Sequence, residues 1–154
     1  MILFRDKIII KTTAEKLFHW FKHLDQNYLA WHPDHVSCRF LEDKPLRRGS
    51  KIYVQEYLHG KLHTFTFTIS SLTPNREIIY RIMPGMKGAF RFLEQDKNVI
   101  FEAEVTLGWD IPLIGSLIDC FIRTFFSKNL QALKQHMKEE SINLRALIES
   151  DHSC

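Results

Sequence analysis

The chain has 154 residues, 45% hydrophobic and 25% charged, which is the make-up of one ordinary globular domain spanning residues 1–154 and excludes a disordered chain, a collagen or a coiled-coil rod. Its 21 basic and 18 acidic residues leave a net charge of +3 with no run of five like charges. No nucleic-acid partner is expected, because Lys44, Arg47, Arg48 and Lys51 form a loose cluster that reads better as solvated surface than as a phosphate-binding patch.

A chain of this length buries roughly 68–70% of its unfolded surface, so it needs neither disulfide nor metal merely to fold. Three cysteines, Cys38, Cys120 and Cys154, form no pairing framework, which fits a reducing, cytoplasmic setting. The N-terminus lacks the long apolar region and cleavage site of a secretory signal. The longest nearly uncharged stretch, 111–122, is too short and too interrupted by Pro112 and Asp119 to span a bilayer. Nothing in the pattern sets an oligomeric state. Twelve Phe, three Trp and four Tyr suit a core or a cavity lined by rings.

Residues 4–11 contain Ile8-Ile9-Ile10 and predict a first strand. Thr12-Thr13 ahead of Ala14-Glu15-Lys16 is a helix-start signal, followed by Leu17, Phe18 and Phe21 at helical spacing. A second short helix is expected over 25–30. Trp31-His32-Pro33-Asp34-His35 cannot continue it, because a residue before proline is pushed out of the helical region. The period then changes to two. Strands are predicted over 36–42, 52–58, 62–72, 77–82, 89–94 and 99–107. A turn at 45–50, a two-residue turn at His59-Gly60, a turn at 73–75, a loop over 83–88 and a connection at 95–98 separate them. Consecutive strands without intervening helices imply an antiparallel sheet. Helical periodicity returns over 111–150, with Gly115 a candidate break.

Strand, two short helices, about six further strands and a long C-terminal helix make an α+β order, in which a curved sheet wraps the helix. This resembles the helix-grip fold of the START-like superfamily, which includes polyketide cyclases, lipid-transfer domains and pollen allergens of the Bet v class. The resemblance covers nearly the whole chain and rests on element order and on the Gly49-Ser50 approach to a strand. It implies an apolar cavity between sheet and helix for a small hydrophobic or aromatic molecule.

Three polar anomalies interrupt the apolar faces. On a wheel at about 100° per residue, Phe126, Leu130, Leu133, Met137, Leu144, Leu147 and Ile148 share one arc of the long helix. His136 and Glu140 fall inside that arc, four residues apart and therefore side by side. A carboxylate facing a core is costly unless paired or bound to a metal; the alternative is a His136–Glu140 pair with no further role. In the strand at 52–58, Ile52, Val54 and Leu58 share a face with Glu56, which points Glu56 inward. The reversed facing, with Tyr53 and Tyr57 inside, is the alternative. In the next strand Phe65, Phe67 and Ile69 share a face with His63, and the His59-Gly60 turn sets His63 opposite Glu56. The third anomaly is the Trp31–His35 loop, which offers His32 or His35, with Asp34 as an orienting group. One loop histidine, Glu56, His136 and Glu140 make two imidazoles and two carboxylates. That donor set suits zinc, or another divalent transition metal.

Within the same superfamily, these residues resemble the site of the diacetylphloroglucinol hydrolase family. That family holds zinc with a histidine from a W-H-P-type loop, a strand glutamate, and a histidine and glutamate four apart on the C-terminal helix. The resemblance implies ligand roles for His35 (or His32), Glu56, His136 and Glu140, and a substrate-binding role for Tyr28. It also implies hydrolysis of a carbon–carbon bond between an aromatic ring and an acyl group. His35 is preferred over His32 because it immediately precedes a strand. On this reading the chain is a zinc-dependent hydrolase of an aromatic or β-dicarbonyl compound, and His63 is the proton donor to carbon. Two alternatives need no metal: a carrier of a hydrophobic ligand, and a polyketide cyclase or aromatase.

Overall fold

The computed structural model describes residues 1–42, 45–108, 115, 120 and 127–151. Strand β1 (Ile2–Ile10) alternates inward and outward side chains up to Ile10, which is fully buried. Helix α1 (Ala14–Lys22) starts where predicted. The Thr13 hydroxyl accepts from Lys16 N at 3.2 Å, and a distant carboxylate, Glu94, accepts from Ala14 N at 2.9 Å. Two of the helix's orphan donors are thereby satisfied. Its apolar stripe, Ala14, Leu17, Phe18 and Phe21, is buried. Phe21 stacks on Phe101 and packs against Phe90 and Phe92, the start of the aromatic core. Burying each such side chain is worth roughly 1.5–3 kcal/mol.

Helix α2 (Leu24–Trp31) ends at the His32-Pro33 dipeptide, as the pre-proline restriction requires. Six strands follow: β2 (His35–Phe40), β3 (Lys51–Leu58), β4 (Lys61–Thr73), β5 (Glu77–Met83), β6 (Met86–Gln95) and β7 (Asn98–Leu107). With β1 they form one antiparallel sheet in the order β1-β7-β6-β5-β4-β3-β2. A long helix, α3 (Ser127–Ser150), packs over it.

His59 and Gly60 both have positive φ, the signature of a tight two-residue hairpin, and Glu56 pairs with His63. The predicted loop over 83–88 is shorter than expected. Only Pro84 and Gly85 turn the chain, because Met83 and Met86 already pair. Glycine at 85, with φ of 78°, makes so tight a turn accessible. Residues 109–114, 116–119 and 121–126, where the first part of the C-terminal helical stretch was expected, lie outside the described residues, as do Lys44, Phe126 in the apolar arc and Cys154. No described helix is long and apolar enough to cross a membrane.

Candidate metal centre and ligand cavity

Three neighbouring strands place polar side chains in a row. His35 of β2 pairs with Glu56 of β3, and Glu56 pairs with His63 of β4. The first of these pairings depends on a bulge. From Ser37↔Gln55 a regular ladder would set Val36 opposite Glu56, but the register shifts between His35 and Ser37. Val36 becomes the extra residue, and the inward face receives an imidazole in its place. The local chain prepares this. The His35 amide donates to the His32 carbonyl at 3.1 Å around Pro33-Asp34, and the Trp31 indole donates to the Glu140 carbonyl at 2.9 Å. The loop is thus pinned to α3 beside His136 and Glu140.

The four residues converge. His35 Nε2 lies 3.0 Å from Glu140 Oε1, 3.3 Å from His136 Nε2 and 3.7 Å from Glu56 Oε2. His136 Nε2 lies 3.5 Å from Glu140 Oε1 and 3.8 Å from Glu56 Oε2. Metal–ligand distances of about 2.0–2.2 Å put the donor atoms of a tetrahedral zinc roughly 3.3–3.5 Å apart. The five separations bracket that edge length, so the donor set fits a divalent transition metal in both chemistry and spacing.

Tautomers agree with this fit. His35 Nδ1 donates to the Tyr28 carbonyl at 2.7 Å, which leaves the Nε2 lone pair facing the cluster. His32 is different. Its Nδ1 accepts from the Asp34 amide at 3.0 Å and its Nε2 donates to Glu139 Oε2 at 2.9 Å, so both nitrogens are in use. His32 joins a second cluster with His35 and His136, but with its nitrogens occupied it braces the loop against α3.

The electrostatics are those of a crowded, buried anion pair. Burial and the neighbouring Glu140 charge raise the Glu56 pKa, against the hydrogen bond from Tyr28 and the two imidazoles. Burial also works against ionisation of Glu140, but the His136 and His35 side chains against its oxygen outweigh it and hold that carboxyl at about 2. Tyr28 is 2% exposed, stacks on His35 with ring centroids 3.7 Å apart, and donates its hydroxyl to Glu56 Oε2 at 2.6 Å.

Glu56, His136 and Glu140 of the cluster line a cavity of about 410 Å³, within the usual range for small-molecule sites. Phe65, Phe67, Phe90 and Leu133 give it apolar walls; Glu56, His63, His136 and Glu140 are among its polar groups. His63 is half-buried, its ring parallel to Phe65 at 5.9 Å, and among the described residues it has no hydrogen-bond partner.

Tyr80 is a lining residue that sequence reasoning missed. It is 6% exposed, yet its hydroxyl has no hydrogen-bond partner among the described residues. Burial, then the charges of Glu140 and Glu56, raise its pKa, so it stays a protonated donor. Its ring lies across Gly88, its partner on β6, with Phe67 and Phe90 on either side. A Cβ at Gly88 would stand 2.3 Å from Tyr80 Cζ and 2.4 Å from its oxygen. Gly88→Ala therefore has to push the ring into the cavity. We expect a folded protein destabilised by roughly 1–3 kcal/mol in urea titrations. Binding of the fluorescent probe N-phenyl-1-naphthylamine should weaken at least about tenfold, and a second change, Tyr80→Val, should restore it. Unchanged probe binding by Gly88→Ala alone contradicts this.

A curved antiparallel sheet gripping a C-terminal helix over an apolar cavity is the architecture of the START-like superfamily. The chain belongs to the family described as polyketide cyclase / dehydrase and lipid transport, whose profile matches residues 1–140. Solved structures agree on the fold. Ara h 8.0201 superposes with a TM-score of 0.67 at 15% identity, covering 97% of this chain and 98% of that one. A START superfamily protein from Mycobacterium smegmatis gives 0.59 at 13% identity, covering 87% and 95%. The di-domain ARO/CYC BexL from the BE-7585A biosynthetic pathway gives 0.56 at 19% identity, covering 91% of this chain and half of that one. No curated protein is significantly similar.

Proposed function

We propose that the protein is a metal-dependent hydrolase that binds a small aromatic or β-dicarbonyl molecule in its cavity and cleaves a carbon–carbon bond at an acyl group. The observation that carries this reading is the convergence of His35, Glu56, His136 and Glu140 from three elements, three of them lining an apolar cavity. A carrier has no use for two buried carboxylates and two imidazoles, which are costly to bury without a partner charge. His35, Glu56, His136 and Glu140 would hold a divalent transition metal, which would supply polarisation of an acyl carbonyl and activation of water.

The chain's own groups supply the rest. Phe65, Phe67 and Phe90 sandwich an aromatic ring. The Tyr80 hydroxyl is a free donor for a carbonyl or phenol oxygen. His63, paired with Glu56 and lining the same cavity, is the group that would hand a proton to the departing carbon. The net reaction adds water across the bond: hydroxyl to the acyl carbon, proton to the ring or α-carbon that leaves with the electron pair.

A second reading is favoured by the family itself. A polyketide cyclase or aromatase, or a carrier of a hydrophobic ligand, would use the same cavity without the metal, and BexL is named as an aromatase/cyclase. Elemental analysis of protein purified without chelators decides between them. We expect about one transition-metal ion per chain, together with release of a carboxylic acid from an acylated polyhydroxybenzene. Metal-free protein carrying an intact hydrophobic ligand would establish the carrier, and metal-free ring closure of a polyketide-like chain the cyclase.

A further inference from the structure

A tetrahedral site filled by four protein ligands has no position left for water or substrate. The geometry of this cluster is uneven in a way that answers the difficulty. The nitrogens of His35 and His136 and the Glu140 oxygen lie 3.0, 3.3 and 3.5 Å from one another. Glu56 Oε2 stands farther from both imidazoles, at 3.7 and 3.8 Å. That same oxygen is the acceptor of the Tyr28 hydroxyl at 2.6 Å.

We propose that Tyr28 makes Glu56 the displaceable donor of the centre, so that His35, His136 and Glu140 hold the metal while the Glu56 side opens to the cavity. The inference rests on the metal reading above and deepens it. Two histidines and a glutamate are a known ligand set for catalytic zinc with one open position. Glu140 Oε1 meets the two imidazoles, whereas Glu56 Oε2 is shared between the cluster and a phenol. The phenol cannot turn away. Its ring is stacked on His35, and its own backbone carbonyl takes the His35 Nδ1 proton. Glu56 also lies beside His63 on the cavity side, where an incoming carbonyl would displace it. Tyr28 is on this account a positioning residue, its hydroxyl already engaged and not free for substrate.

The test uses the full chain loaded with cobalt(II), with chelator competition for affinity and azide as a probe of the open position, read in the visible spectrum. Glu56→Gln should keep cobalt within about tenfold of wild type, while Glu140→Gln should lose about 100-fold or more. Tyr28→Phe keeps the stack and the carbonyl but removes the hydroxyl. It should leave cobalt affinity undiminished and weaken azide binding roughly tenfold, because Glu56 then closes on the ion. Equal losses in Glu56→Gln and Glu140→Gln would overturn the proposal, and so would unchanged azide binding in Tyr28→Phe. A wild-type chain that takes up no cobalt defeats the metal reading itself, which is a different failure.

Discussion

Replacing Glu140 by alanine should cost the centre its metal while the chain still folds. Of the cluster's two carboxylates, Glu140 is the one whose oxygen lies closer to both imidazoles, at 3.0 and 3.5 Å. It is also the one held strongly anionic despite its burial. Without it, His35 Nε2 and His136 Nε2 face each other at 3.3 Å with only the more distant Glu56 to balance a cation. Loss of a supporting group around a metal ligand commonly costs 10–100-fold in affinity, so loss of this ligand should cost at least about 100-fold. The check is zinc competition against a chelator, with thermal melts alongside. Bound ligand stabilises by RT ln(1 + [L]/Kd), about 2.7 kcal/mol at a hundredfold excess over Kd. Wild type should therefore melt higher with added zinc and the variant should not. The Trp31 indole bonds to the backbone carbonyl of residue 140, which alanine preserves, so the loop anchor survives. A variant that keeps zinc within about threefold of wild type would remove Glu140 from the centre.

The fold was largely legible because it is written in periodicity. The shift from 3.6 to two after Pro33, and back again beyond β7, lays out the helices and strands in order. The His59-Gly60 turn fixes the register that sets Glu56 opposite His63. The wheel of α3 puts His136 in the buried arc, where the structure has it beside Met137, Leu144 and Ile148. Element ends were harder. Met83 and Met86 extend their strands through a segment whose Pro and Gly content reads as loop, because only two residues are needed to turn.

The finer geometry of the site was not legible, and the reasons are physical. The β2 bulge depends on how the Trp31–His35 loop docks against α3, a contact between residues more than a hundred positions apart. Pattern alone could not separate His32 from His35. What separates them here is which ring nitrogens the Tyr28 carbonyl, the Asp34 amide and Glu139 occupy. Tyr80 shares a face of β5 with Ile78 and Ile82, and nothing in the alternation marks it out. Its place across Gly88 on the next strand is something only register reveals. The glycine in an otherwise alternating strand was the available signal, since such a residue often marks a close approach.

His63→Asn should keep fold and metal while lowering turnover by roughly 10²–10⁴-fold, the usual worth of general acid–base catalysis. The prediction follows from placement. His63 lies on the inward face with Phe65 and Phe67, opposite Glu56, yet it belongs to neither cluster of metal-competent side chains among the described residues. It has no hydrogen-bond partner there, so its ring nitrogens are available to a bound molecule. Cleavage at an acyl group leaves a carbon that must gain a proton. Tyr28, with its hydroxyl committed to Glu56, is a poor source. Asparagine keeps the size and polarity of the site but cannot exchange a proton near neutrality. The measurement pairs metal content with turnover of an acylated polyhydroxybenzene that the wild type cleaves. Loss of metal would make His63 a ligand. Full turnover with metal retained would reduce it to a wall of the cavity and assign the proton to another donor.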